Sequence, residues 1–559
     1  MMIEIEQRLP LDGRGNRYFG TSILSIFCVL LINQIIYAQI PVNPGGIPTD
    51  RIPSHKALNK IEQLSLDNKA KAFELVSKAY DLEKSAAFEN VEGFYMEIDH
   101  WIYSKGNAVR HDDKSWRDNP FFENLFEFWD FKNNRFWEAY TSHFPGGFQF
   151  ASETIFTNNT DYTVFPTRQS YRERPLLPDP YHGVMAHAYH AWLDLIPARL
   201  LYVMKNQPYG LTYLGKQEVE GQVVDVVEFT WPSSTKRPRI YFLESTGQVF
   251  AAGSNHAIPF DGDLANMVFY YGRQEKDGFL VPEENIVHFN EKRILHRRIS
   301  DFGVVKDVGE DFFKIEESFK KIDKSWVSVK PSSAVNGFED TFMFQPDNYY
   351  YVELDNFIVA FDAPRHPAIT RNIIGLIGEE TNKPIRYVVI SHAHQAHMVG
   401  LRAFMEEGAT IVTTKNAESV ILEIASAPQS NFVGPIFGSP IEDLKMELVG
   451  TKKPLVIKDG NRKLEIINVG NSPHAEGNLV AYFKEDNILI QGGLYSYEGE
   501  FSPTNAFFMN WAKKKKLKNT IVVGMHHFPT VIEKLKESKL NTPVTLELFK
   551  SKIAKIKGQ

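Results

Sequence analysis

Three histidines stand close together in Ser391-His392-Ala393-His394-Gln395-Ala396-His397-Met398-Val399-Gly400, at spacings n, n+2 and n+5. They follow the apolar run Tyr387-Val388-Val389-Ile390, which reads as a strand delivering side chains to a sheet edge. Alternate residues of an extended segment share a face, so His392 and His394 can point the same way. His397 follows as the chain turns into a helix. A third zinc-type ligand must come from elsewhere, and His474 fits, again just after a strand, Leu464 to Val469, and before Gly477, Asn478 and the strand Leu479 to Phe483. Three neutral imidazoles and a water form the open tetrahedral set typical of a catalytic zinc. Ala396 stands where a metal site of this spacing would carry an acid.

The elements that position these residues alternate strand with helix. Strands are predicted at Tyr349–Leu354, Phe357–Asp362, Arg386–Ile390 and Thr410–Thr414, with helices at Pro367–Glu379 and Met398–Glu407. Gly408 stops the second helix, and Asn416 is predicted to cap the next. Such alternation argues for an α/β domain over 331–559. Upstream, residues 56–82 carry apolar side chains at helical spacing, Leu58, Ile61, Leu64 and Phe73, Val76, Tyr80 among them. From Gly93 to about Phe313 strands dominate, with turns at Val219–Val223, Lys276–Phe279 and Thr246–Gly247. One curved antiparallel sheet with a helix beside it resembles the half-barrel of the lipoprotein carriers, giving an α+β domain over 40–330. The aromatic run Phe121 to Tyr140 is read as core and interdomain packing, or else as the lining of an apolar ligand groove.

Read in order, the motifs of the last 230 or so residues resemble those of the metallo-β-lactamase superfamily, an α/β fold built as a four-layer αβ/βα sandwich. Val359-Ala360-Phe361-Asp362 is a strand ending in an acid. The segment from Ser391 to Gly400 is similar to the family's His-x-His-x-Asp-His, and Ser472 to Phe483 to its His-x-x-Gly-Asn/Ser. Ile488 to Leu494 resembles its Gly-Gly-Asp, and Val522 to His527 its terminal Gly-His. The resemblance implies that His392, His394 and His474 hold the first ion. It implies a structural role for Asp362 beneath the site.

The departures fall at one place. The resemblance implies that a second ion would use an acid at Ala396, His397, an acid at Leu494 and a late histidine at His526 or His527; the family's residue itself falls on Met525. Neither alanine nor leucine can coordinate a metal, so one zinc is expected, not two. The same loss at Leu494 disfavours a two-His-one-carboxylate iron site. His397 and His526 are then the candidate catalytic groups, as proton acceptors or hydrogen-bond partners. Gln395, Glu476, Tyr495 and Glu498 are further candidates among which spacing does not choose, and His366 could reach the pocket. The implied activity is a hydrolase acting on an ester, lactone, amide or related bond of a small molecule. The alternative is a lapsed hydrolase domain that binds an apolar ligand or a protein partner.

Bulk properties narrow the field. The chain of 559 residues carries a net charge of −7, without the basic face that nucleic-acid binding needs. The basic run Lys513–Lys516 reads as a solvated helix face. Arg14 and Arg17 precede the apolar stretch Ile23–Tyr37, short for a membrane span, and small Ala38 follows. This reads as a secretory signal over 1–39 with an extracytoplasmic destination, an uncleaved membrane anchor being the alternative. The single cysteine, Cys28, lies inside that stretch, so neither disulfides nor thiolate ligands are expected downstream. In a second group, His182, His187 and His190, the last two share a helical face with Asp194 one turn on, which reads as packing with satisfied imidazoles, a metal site being the alternative.

Overall fold

A computed structural model describes residues 66–558 apart from 104–107, 111–119, 158–159, 175–195, 207–209, 230–237, 259–261, 291, 322–332, 336–337, 345–348, 364–366, 428–443, 497–501 and 536–543. The signal segment, Cys28, the group His182, His187, His190 and Asp194, and also His366 and Glu498, lie outside the described residues. The chain is α/β, mostly strand, with several sheets.

Between residues 93 and 321 fourteen strands form one sheet, antiparallel except for a short parallel pair at one edge, and Gln274–Lys276 and Phe279–Val281 form a separate two-stranded ribbon. One run of hairpins leads from Gly93–Ile102 out to Ser170–Arg174, and another from Lys292–Val304 out to Thr212–Val219. The two runs join where Gly93–Ile102 pairs with Lys292–Val304. The turns are those the sequence predicts. Glu220–Gly221 and Asp277–Gly278 have positive φ at both positions, which a two-residue hairpin of the favoured twist demands.

The helices Leu66–Leu82 and Pro197–Asn206 pack on one face of this sheet. The first buries Ala72, Leu75, Val76, Ala79 and Tyr80. Phe73, predicted inside, is 46% exposed, because the buried stripe is set by the alanines beside it. The aromatic run resolves into two strands whose rings alternate between faces. Trp129 and Phe136 pack toward the helices, whereas Phe126, Phe128 and Trp137 pack on the opposite face. That second face is covered by Phe312 and Phe313 and by Val544, Phe549 and Ile556 from the far end of the chain. These rings are core, as the packing reading has it.

A polar line crosses the helix-side face. Arg297, His100, Glu123 and Ser142 stand opposite one another on four adjacent strands. Arg297 Nε donates to His100 Nε2 at 3.1 Å, and Ser142 Oγ donates to Glu123 Oε1 at 2.5 Å. Burial holds the His100 imidazole down at about 4, with Glu123 pulling the other way.

Residues 333 to 535 form a seven-stranded and a six-stranded sheet. The strands Ile358–Phe361, Ile385–Val389, Thr410–Thr413 and Met446–Leu448 run parallel. The first three bury apolar residues toward their C-terminal ends, as strands covered on both faces do, whereas Met446–Leu448 is the exposed edge strand. One face meets the helices Pro367–Glu380, Leu401–Glu406 and Lys415–Ser426. The other shares a core with the six-stranded sheet, through Val359, Phe361, Val389 and Val412 against Leu464, Ile466, Leu479 and Ile490. The helix Pro503–Lys514 packs on the outer face of the six-stranded sheet, with Lys513–Lys516 exposed at its end. Two boundaries differ from expectation. The helix predicted at Met398–Glu407 is two pieces, Gln395–Met398 and Leu401–Glu406, broken at Val399–Gly400. Thr414 stands at the N-cap position of the next helix, without a side-chain capping bond, and Asn416 sits in the first turn and donates to Glu476 instead.

Candidate metal centre

The parallel strand Ile385–Val389 ends beneath the site, and its continuation Ile390–His392 is held on both sides. Ile390 N donates to Val412 O and Leu479 N donates to Ser391 O, tying the loop to one strand of each sheet. His394 then precedes the short turn Gln395–Met398, and His397 N donates back to His394 O. The loop Ser472–Gly477 carries His474, and Ser472 Oγ accepts from both His474 N and Ala475 N at 3.1 Å. Asn478 stitches the same loop through Gly470 O and Ala475 O.

These loops bring His392, His394 and His474 together, with one ring nitrogen of each within 4.8 Å of the others. His392 and His394 are buried. Burial pushes the His392 imidazole well below its usual range, helped by the histidines around it, and pushes His474 down to about 3. Both are therefore neutral at ordinary pH, the form that binds a metal.

The hydrogen bonds also assign nitrogens. His392 Nδ1 lies 3.0 Å from Ser391 Oγ, while its Nε2 is buried with no hydrogen-bond partner among the described residues. An orphaned ring nitrogen aimed at two other imidazoles is what a metal ligand leaves. Room for an ion is kept by Gly493, where a Cβ would sit 2.8 Å from His474 Nε2 and from His392 Cε1. The residues present thus fit a metal ion on three histidines.

His397 lies beside this cluster, its ring 4.0 Å from that of His392 and 5.6 Å from that of His526. Its Nδ1 donates to Asp362 Oδ2 at 2.8 Å. Asp362 also accepts from Ser391 N at 2.7 Å and from Ser391 Oγ at 3.0 Å. One buried carboxylate therefore orients His397 directly and His392 through Ser391. His526 stands in the turn Met525–His526, and the side chain of His527 lies outside the described residues.

Leu494 is turned away. It packs with Val480, Phe508 and Val522 in the core on the outer face of the six-stranded sheet. Gln491 Oε1 accepts from Leu494 N and Tyr495 N and fixes that turn. Tyr495 lies in the same core. Glu476 is engaged elsewhere, as its main-chain N donates to Val109 O and its carboxylate pairs with Arg110 at 3.1 Å. Gln395 is half-buried at the start of the turn.

Sequence reading missed Ser391, Gln491 and Ala108. The first two act as hydrogen-bonding spacers with no motif of their own. Ala108 acts through its main-chain oxygen, 3.1 Å from His394 Nε2, and a main-chain contact leaves no residue signature.

No family model matches the sequence, and no curated protein matches it. Solved structures similar to parts of it include metallo-β-lactamases and LolA-like or DUF1329 proteins. A metallo-β-lactamase from Hirschia baltica is 20% identical, with 36% of this chain and 94% of that chain covered at a TM-score of 0.28. Another, from Pseudomonas aeruginosa in its mono-zinc form, is 17% identical, covering 41% and 96% at 0.28. A LolA superfamily protein from Nitrosomonas europaea is 12% identical, covering 44% and 97% at 0.26.

Proposed function

We propose that this chain is an exported hydrolase holding one zinc ion on His392, His394 and His474, in a domain with the four-layer αβ/βα order of the metallo-β-lactamase superfamily. The observation that carries this reading is the convergence of three imidazole nitrogens within 4.8 Å, with the buried Nε2 of His392 lacking a hydrogen-bond partner among the described residues. A zinc ion on three neutral histidines supplies a Lewis acid and lowers the pKa of its water to about 7. The bond attacked is an ester, lactone, amide or related bond of a small molecule.

The chain's own groups do the positioning and move the proton. With Nδ1–H bonded to Asp362, His397 keeps a lone pair on Nε2 and can accept a proton there. Asp362 holds the tautomer and steadies the imidazolium that results. His526, one ring away, can pass that proton on or hold the leaving group. Among the described residues no acid joins the three histidines in place of the missing ones. Ala396 offers no donor, and the Leu494 side chain is spent on core packing, which supports one ion rather than two.

The exported state is part of the proposal, with residues 1–39 as the signal, 40–330 as the half-barrel-like domain and 331–559 as the metal-binding domain, whose last residues, Val544 to Ile556, pack back on the large sheet. Among the described residues no helix is long and apolar enough to cross a membrane. The burial of Leu494 also favours a second reading, a domain that has kept the fold and given up catalysis to bind an apolar ligand or protein partner. The experiment is a screen of chromogenic esters, lactones and phosphodiesters with the zinc-loaded chain. Activity lost on chelation, restored by zinc, and lowered by about 100-fold in His397→Gln supports the hydrolase. Zinc bound with no turnover of any substrate supports the binding protein.

A further inference from the structure

We propose that the fourteen-stranded sheet completes the metal centre: the Ala108 carbonyl fixes the tautomer of His394. This rests on the reading of His392, His394 and His474 as metal ligands. Ala108 lies in the connection between the strands Gly93–Ile102 and Phe121–Asp130, 286 residues upstream of His394. Its oxygen is 3.1 Å from His394 Nε2, and both residues are buried, with Ala108 4% exposed. A carbonyl only accepts, so Nε2 must carry the proton. The lone pair is then left on Nδ1, which becomes the ligating nitrogen. Ligating histidines characteristically donate their other N–H to a carboxylate or main-chain carbonyl, which fixes ring orientation and raises ligand basicity. Ser391 plays that part for His392 from within the same domain. For His394 the partner comes from the other part of the chain.

The contact is held rather than incidental. Val109 O accepts from Glu476 N at 2.9 Å, and Arg110 Nε pairs with Glu476 Oε1 at 3.1 Å. Asn416 steadies the same carboxylate at 3.1 Å. A second loop from the same end of the sheet reaches the other ligand loop. Gly146, at φ +86, lies so close to it that a Cβ would fall 1.5 Å from Pro473 O and 3.0 Å from His474 N. Two loops of the large sheet thus seat on the loops carrying His394 and His474. Metal retention therefore depends on this interface staying closed.

The test measures zinc affinity of the full chain by competition with a chromophoric chelator, beside thermal unfolding of the metal-free form. In Ala108→Leu the enlarged side chain displaces the carbonyl. Arg110→Glu, at an exposed position, repels Glu476 and loosens the same segment. The expected results are a loss of about 10- to 100-fold in affinity for the first and a smaller loss for the second. Metal-free unfolding of Arg110→Glu stays near that of the parent, and the charge swap Arg110→Glu/Glu476→Arg recovers affinity. If Ala108→Leu does not fold, Arg110→Glu and its swap decide. Parent zinc binding with both variants unaffected overturns this inference alone. A parent chain that takes up no zinc overturns the metal reading and this inference with it.

Discussion

Asp362 shows how much of the site hangs on one side chain. Its carboxylate accepts three hydrogen bonds, from Ser391 N, Ser391 Oγ and His397 Nδ1, and its backbone sits at φ +55. Removing the acceptor leaves buried donors unpaired, at about 1–3 kcal/mol each. A left-handed backbone adds roughly 1 kcal/mol for a residue such as alanine, which asparagine largely escapes. Asp362→Ala is therefore expected to lose about 3–5 kcal/mol in urea unfolding of the metal-free chain, and Asp362→Asn clearly less; equal losses would show that neither the turn nor the acceptor matters. The histidines and Asp362 were legible because their types and order form a motif. Ser391 was not, since a serine in a loop is commonplace until its oxygen is seen between an acid and two imidazoles.

At the scale of elements, the two periodicities carried most of the reading. Strand and helix alternation after Tyr349 and the hairpin turns before Phe289 are local patterns, and they appear where the sequence puts them. The misses come from competition between near-equal local choices. Ala72 and Ala79 bury where Phe73 was expected, and the helix starts at Thr414, two residues before Asn416, whose side chain bonds Glu476. The helix Lys550–Lys557 and the turn before it could not be placed from sequence at all, because their partners lie some 400 residues earlier. Phe549 packs edge-on to Trp137 at 6.3 Å, Lys552 pairs with Glu153 at 2.5 Å, and Val544 N donates to Gln149 Oε1 at 2.9 Å. Phe549→Ala should destabilise the chain by about 3 kcal/mol in chemical denaturation. A change under about 0.5 kcal/mol would mean that this end is not part of the core.

For the molecule as a whole, protonation links the large sheet to stability. The folded His100 imidazole sits at about 4 against 6.5 for the free group, so between those values the unfolded chain binds a proton that the folded chain refuses. Stability falls as pH drops through that window and levels off below it, by on the order of 2–3 kcal/mol for this residue. His100→Gln should lose less stability than the parent between pH 7 and pH 4.5. An identical loss would show that burial leaves the imidazole unshifted. The junction between the large sheet and the metal loops was beyond sequence reading, because it consists of carbonyls, a glycine and one ion pair brought together by folding. The central claim is nonetheless a simple count. Native mass spectrometry of the full chain, loaded with excess zinc and desalted, should show one zinc per chain, and none in His392→Ala or His474→Ala. No zinc in the parent, two per chain, or one retained after either substitution would contradict the three-histidine site.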